Sequence, residues 1–393
     1  MKKLFAVILF AILLIACSTA ISETEQGMER EITNLCSIEY GNKKIKALTD
    51  GKYKKDWTAR DSSSTLRIRI PEEEKAGGIL VEWFKKLTDF ELKEYDKNGS
   101  LIHTEKSTDY FKGYITWLPL HEETVCAELK VFRGGTISEL KVYSSGTENP
   151  DIQKWQNPPE KTDIMLLVAH QDDEVLWFGG LLPYYSTVRD KHVQVIYMTT
   201  GGRLRISEAL NCLWTVGVKN IPEIIGYKDS YATGKKAEDV WGGKSNIEKS
   251  LVHRIRKYKP DVIVTHDLNG EYGHPQHKLL AKYIVNATKS AANAKKHTDL
   301  AKQYGTWNVK KVYLHLSDTN PIYMDWETPS DALGGRTPLS LAEEGFLKHV
   351  SQLDRFNMDM GKIYDYTKFG LVYSIVGYDI LKNDLLENTP AAN

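Results

Sequence analysis

Three short, unbroken apolar runs at residues 164–168, 195–198 and 262–264 alternate with helical stretches, and this alternation constrains the fold more than any other feature of the chain. A strand that is apolar at every position must be covered on both faces. The intervening helices supply the cover; one of them sets Ile247, Leu251, Ile255 and Tyr258 on a single stripe. The pattern predicts an α/β layered domain with a mostly parallel sheet over residues 161–388. Ligands of such sheets gather where the carboxyl ends of the strands meet the following loops.

The preceding stretch, residues 32–147, has another rhythm. Short strand-like runs at 66–70, 78–83 and 126–132 are separated by turn residues, with Asn98-Gly99 as a hairpin signal. This predicts an all-β sandwich, joined to the α/β part by a polar linker, residues 148–160, that carries Pro150, Pro158 and Pro159. A chain of 393 residues exceeds a single hydrophobic core, in keeping with two domains. Lys plus Arg and Asp plus Glu balance at 52 each, so no overall field draws the chain to nucleic acid, and none is expected as a partner.

Met1, Lys2 and Lys3 precede an apolar run, 4–16, too short to span a bilayer but suited to a signal-peptide core. Residues 1–16 are therefore read as a signal peptide and 17–31, polar and aperiodic, as a tether. Leu14-Ile15-Ala16-Cys17 resembles a bacterial lipobox. The resemblance implies lipidation of Cys17 and an exported cell-envelope lipoprotein, periplasmic or extracellular, that meets the membrane through its lipid alone. In an oxidising compartment Cys36 and Cys126 are available for a disulfide across the ends of the first domain, while Cys212 lies on an apolar helix face as a small buried hydrophobe.

The chemistry-bearing residues fall at strand ends. His170, Asp172 and Asp173 directly follow the first buried run, and His274 and His277 follow a later one, after Gly270 and Gly273. Hydrolytic zinc sites use three nitrogen or oxygen ligands and leave a position for water. His170, Asp173 and His277 supply that set, for one Zn2+ per chain, and Asp172 is left free to act as a base. His266 ends a buried run and reads as a packed histidine; His315 and His349 have no partner at ligand spacing.

Ala169-His170-Gln171-Asp172-Asp173-Glu174 and Gly273-His274-Pro275-Gln276-His277 resemble the two motifs of the PIG-L, or LmbE-like, zinc-dependent N-acetylglucosaminyl deacetylases. The resemblance covers residues 161–290 and implies a Rossmann-like α/β domain with zinc at His170, Asp173 and His277. It further implies Asp172 as general base toward a zinc-held water, with His274 stabilising the tetrahedral intermediate or protonating the amine. Tyr272 would add a hydrogen bond to that intermediate, and Arg205, in an RxxE-like Arg205-Ile206-Ser207-Glu208, and Asp229 would bind sugar hydroxyls. Glu174 reads as a helix-start carboxylate. Gln171 stands where the family has proline, and Gln276 where many bacterial members have the aspartate that partners His274. In the first domain, Ala47-Leu48-Thr49-Asp50-Gly51-Lys52-Tyr53, Trp57 and residues 137–143 resemble galactose-binding-like (discoidin) domains, which implies a jelly-roll with a glycan as ligand. The expected activity is removal of the acetyl group from an amino-sugar conjugate of the N-acetylglucosamine type. The rival reading is a noncatalytic, glycan-binding surface lipoprotein with a vestigial metal site, for which Gln276 speaks.

Overall fold

The computed structural model describes residues 27–51 and 56–389. The expected signal peptide, Cys17 and residues 17–26 of the tether lie outside the described residues, as do Lys52 and Tyr53.

Among the described residues ten strands build the first domain: β1 (Ser37–Tyr40), β2 (Lys43–Lys44), β3 (Trp57–Thr58), β4 (Ser63–Arg69), β5 (Ala76–Trp83), β6 (Phe90–Tyr95), β7 (Leu101–Lys106), β8 (Ile115–Pro119), β9 (Cys126–Phe132) and β10 (Thr136–Ser144). They form two antiparallel sheets, ordered β2-β1-β4-β9-β6-β7 and β3-β10-β5-β8. In β4 and β9 every second side chain is buried, so one face meets the core and the other meets water. The core between the sheets includes Leu66, Ile68, Val81, Trp83, Leu129 and Leu140. Asn98-Gly99 does close a hairpin, β6 to β7: Asp96 Oδ1 accepts the N–H of Asn98 (2.9 Å) and of Ser100 (2.8 Å), and Gly99 takes φ 76°.

β5 and β10 are buried almost throughout, because the outer face of their sheet lies against the second domain. Leu80, Ile115 and Tyr143 accordingly belong to one apolar cluster with Ile164, Leu210 and Ile221.

Two expectations for this region need correction. Residues 28–31, the end of the expected tether, are held to the sandwich: Met28 bridges Thr147, and Glu31 bridges Tyr143. Cys36 and Cys126 are free thiols. Ser37, next to Cys36, pairs with Arg69, and Arg69 pairs on its other side with Cys126, so β4 stands between the two cysteines. Two strand spacings, about 9.6 Å, exceed the roughly 6.8 Å that a disulfide can bridge between Cα atoms. The linker, finally, is strapped down: Lys154 Nζ binds Glu29 Oε2 (2.6 Å), Trp155 packs edge-on against Trp214, and Gln156 bridges Asn220.

The second domain carries β11 (Ile164–Val168), β12 (Val193–Thr199), β13 (Glu223–Tyr227), β14 (Val262–Thr265), β15 (Lys311–His315), β16 (Pro321–Tyr323) and β17 (Lys368–Ser374) in a single sheet of order β13-β12-β11-β14-β15-β17-β16. The pairings from β13 through β15 are parallel, and β17 runs antiparallel to both of its neighbours. The three apolar runs are thus β11, β12 and β14, with every residue of each strand buried. Strand order reverses between β11 and β14, which opens a crevice at their carboxyl ends. The helices that matter for this edge are α1 (Asp173–Leu176), α2 (Arg203–Thr215), α3 (Lys244–Tyr258), α4 (Pro275–Ala292) and α5 (Pro338–Phe346).

A buried ion pair ties the domains together at the start of α2. Arg203 Nη2 binds Glu82 Oε2 of β5 (2.5 Å), and Arg203 also donates to Ser138 Oγ (3.2 Å) and Ser207 Oγ (2.8 Å). Removing the carboxylate strands a buried guanidinium. Because both serines still accept from it, Glu82→Leu is expected to cost at the lower end of such losses, about 3 kcal/mol. A shift of the urea midpoint checks this; an unchanged midpoint contradicts it.

Candidate metal centre

The loop after β11 is held in a conformation it would not choose alone. Asp172 has φ 131°, a region that favours glycine. Its N–H donates to Glu174 Oε2 (2.8 Å), and its Oδ1 takes Arg205 Nη2 from the first turn of α2 (2.9 Å). Arg205 also donates to the Gln171 carbonyl, while the Gln171 amide donates to the Thr199 carbonyl at the end of β12 (2.8 Å). Asp173 then opens α1, with Oδ2 accepting the His170 N–H (2.6 Å) and Oδ1 accepting Trp177 Nε1–H (2.8 Å).

After β14 the chain turns back through Gly270, where a Cβ would lie 2.5 Å from the His274 carbonyl oxygen and φ is +71°, so only glycine fits. The turn delivers His274 as the N-cap of α4 and His277 to its first turn, facing the β11 loop.

Two imidazole nitrogens and the two oxygens of one carboxylate converge there. His170 Nδ1 lies 3.2 Å from Asp173 Oδ2 and 3.2 Å from His277 Nε2, and His277 Nε2 lies 3.3 Å from Asp173 Oδ1. Ligand atoms bound tetrahedrally to a zinc-sized ion are about 3.3 to 3.4 Å apart, so the spacing fits. Proton placement agrees with it. His170 Nε2 faces Gln276 Oε1 (2.9 Å) and Asp229 Oδ1 (3.2 Å), both acceptors, so the proton sits there and Nδ1 offers a lone pair. His277 Nδ1 faces Glu271 Oε2 (2.6 Å), which leaves its Nε2 lone pair for the centre.

Two further histidines crowd the cluster: His274 lies within metal-sharing distance of His170 and His277, and His266 within that of Asp173 and His277. His266 Nε2 accepts the Ala169 N–H (3.0 Å) while its Nδ1 faces Glu271. His274 Nδ1 accepts the Gln276 N–H (3.3 Å), which puts its proton on Nε2 as a donor, not a ligand.

The electrostatics are those of a site built for a cation. Burial works against charge on His170, but Asp173 and Asp229 outweigh it and hold the imidazole up to about 10. Burial likewise opposes ionised Asp173, yet His277, His266 and His170 keep it well below the usual carboxylate range. Protons here do what a bound divalent ion does, and metal binding would displace them. Burial pushes Asp172 up to about 7 against the pull of Arg205.

A family model described as PIG-L, GlcNAc-PI de-N-acetylase, matches residues 165–288, the segment that holds all three donors. This segment is a PIG-L family domain. A curated relative, 1D-myo-inositol 2-acetamido-2-deoxy-alpha-D-glucopyranoside deacetylase 1 of Catenulispora acidiphila, is 26% identical over 189 residues, covering 40% of this chain and 56% of its own length. The deacetylase of the same description from Mycolicibacterium gilvum is 30% identical over 192 residues, 42% of this chain and 62% of its own. The chain therefore spans less than two thirds of these relatives. The solved structure of N,N'-diacetylchitobiose deacetylase from Pyrococcus horikoshii covers 54% of this chain and 78% of its own, at 19% identity and a TM-score of 0.36.

Within the PIG-L domain the structure brings together His170, Asp172, Asp173, Tyr272, His274 and His277. Tyr272 is half-buried, with its ring 5.8 Å from both His274 and His277 and its hydroxyl 3.2 Å from that of Tyr231. Arg205 and Asp229 reach the site by a different route than hydroxyl binding: one binds Asp172 and the other His170. The Gln276 side chain is not directed at His274 in the place of a charged partner; its Oε1 accepts from His170 Nε2–H. Glu174 stands in the first turn of α1 and is fully buried, with His349 Nε2 at 2.7 Å.

Sequence reasoning missed Glu271, whose two oxygens serve His277, His315 Nδ1 (2.9 Å) and the Asp267 N–H (3.0 Å). The one signal for it was its place between two glycines, just ahead of Tyr272. Trp326 is a core residue with its Nε1–H on the Tyr366 carbonyl (3.0 Å).

Proposed function

We propose that the protein is a zinc-dependent hydrolase that removes the N-acetyl group from an N-acetylglucosamine-type sugar in a glycan or glycoconjugate. The observation that carries this reading is the convergence of two imidazole lone pairs and one carboxylate at 3.2 to 3.3 Å beside a strained, buried aspartate, within a PIG-L domain. The relatives named above are deacetylases of 2-acetamido sugars, which points to the same substrate class.

Zinc at His170, Asp173 and His277 would supply Lewis acidity to polarise the acetamide carbonyl and to make a water nucleophilic. Asp172, on the neighbouring position of the loop, takes the proton from the attacking water. Oriented by the Gln276 N–H on its Nδ1, His274 presents Nε2–H toward the site and donates to the developing oxyanion. Tyr272 adds a hydroxyl donor on the same side. As the C–N bond breaks, Asp172 returns its proton to the leaving amine, so acetate and the free amino sugar are the products. Arg205 keeps Asp172 in place, and Asp229 with Gln276 keeps His170 oriented.

The β-sandwich fits the same proposal as a module that holds the glycan part of the substrate. Lipidation of Cys17 would keep the enzyme at the cell envelope; loss of detergent-phase partitioning in Cys17→Ser tests that part. Purified full-length protein should release acetate from an N-acetylglucosaminide, lose this activity on chelation and recover it with added zinc. Zinc-loaded protein that released no acetate across a panel of 2-acetamido sugars would overturn the proposal.

A further inference from the structure

Asp172 holds φ 131°, which for a residue with a Cβ costs of order 1 to 3 kcal/mol and persists only where the surroundings impose it. Two sets of contacts bear on this loop, and both begin in one turn beyond the matched PIG-L segment. In the first, His349 Nε2 donates to Glu174 Oε1 (2.7 Å), and Glu174 Oε2 accepts the Asp172 N–H (2.8 Å). In the second, the N–H and hydroxyl of Ser351 donate to Glu208 Oε1 (2.8 Å) and Oε2 (2.6 Å) on α2. Arg205, one turn earlier on that helix, donates to Asp172 Oδ1 (2.9 Å).

We infer that the turn at residues 349–351, just after α5, is a positioning pin that holds Asp172 in its working conformation. The inference rests on the reading of Asp172 as the base. His349 and Glu174 are both fully buried, so neither can exchange its partner for water. Without His349, Glu174 Oε1 loses its donor in a site closed to water, and the carboxylate is free to turn toward another one. That turn weakens its hold on the Asp172 N–H. The strained loop then relaxes, and a base displaced by about 1 Å loses roughly a hundredfold in rate.

Glu174, Cys212 and His349 together have the residue types of a second metal site. The two Glu174 oxygens are committed to Asp172 and His349, however, which favours the pin. Ser351 acts on the other flank: Glu208 is nearly buried, and fixing it fixes the helix turn from which Arg205 reaches Asp172.

The test uses the full chain loaded with zinc and reads kcat, KM, zinc content and melting temperature. Asp172→Ala comes first; full activity in that variant removes the base reading and the pin with it. With Asp172 confirmed as base, His349→Met is expected to lower kcat about ten- to a hundredfold, with KM and zinc content unchanged. His349→Gln, whose amide reaches as far as Nε2 and can still donate to Glu174, should recover most of the loss. In an Asp172→Ala background, His349→Met should cost nothing more, because the pin acts only through Asp172. An unchanged kcat in His349→Met, no recovery in His349→Gln, or a full further loss in the double variant would each overturn the inference. Should His349→Met fail to fold, Ser351→Ala keeps the question open to measurement, since Ser351 is exposed. It should lower kcat about two- to tenfold; an unchanged kcat there counts against the pin.

Discussion

In Asp172→Asn, kcat for acetate release is expected to fall about a hundred- to ten-thousandfold, the range for loss of a positioned general base, with zinc content unchanged. Asparagine is the sharper substitution because it keeps the volume of the side chain and leaves Arg205 an oxygen to bind. The proton acceptor is what disappears. The donor atoms belong to His170, Asp173 and His277, and none of their contacts passes through the Asp172 side chain. Metal retention and catalysis should therefore separate. If zinc is lost together with activity, Asp172 is part of the metal centre and not the base; if activity survives, another group takes the proton.

The second large effect concerns the metal. His277→Ala should no longer retain zinc through gel filtration, since two donors remain where a catalytic site needs three. Glu271→Gln is the more informative change. The Glu271 carboxylate takes the Nδ1 proton of His277 at 2.6 Å and that of His315 at 2.9 Å, and the carboxyl is held well below its ordinary range, burial notwithstanding, by His266 and His277. An amide has one acceptor oxygen and cannot serve both. Loss of such a partner weakens metal binding by about ten- to a hundredfold. Competition against a chromophoric chelator measures this, and an unaltered affinity would show that Glu271 serves the fold alone.

Much of this site was legible in the chain. His170, Asp173 and His277 stand directly after apolar runs or a glycine-bracketed turn, and parallel strands expose their carboxyl ends on one edge, so convergence followed from strand order. The carboxylates behind them were not legible. Glu271 sits in a loop whose reach depends on Gly270 and Gly273, and two flanking glycines do not say which way a side chain between them points. Glu174 looked like a helix-start residue because helices commonly begin with acids; its burial comes from His349, 175 positions later. Gln276 misled for a similar reason. The aspartate that many family members carry at its position suggested His274 as its partner, but the first turn of α4 aims it at His170 instead.

The disulfide expectation failed on register. Cys36 and Cys126 lie at the two ends of the first domain in sequence, and only the pairing of Ser37 and Cys126 to opposite sides of Arg69 shows that a strand separates them.

What the residues determined by themselves is the class of each domain, because burial on one face or on two is written into the period of apolar side chains. They also set which groups the candidate metal centre could draw on, the imidazoles and carboxylates at the ends of buried strands. Tertiary structure decided which proton sits on which nitrogen, which carboxylate backs each ligand, and how the sandwich grips α2 through Glu82 and Arg203. Those depend on contacts between residues far apart in the chain, where a shift of one ångström changes the partner and no local pattern records the distance.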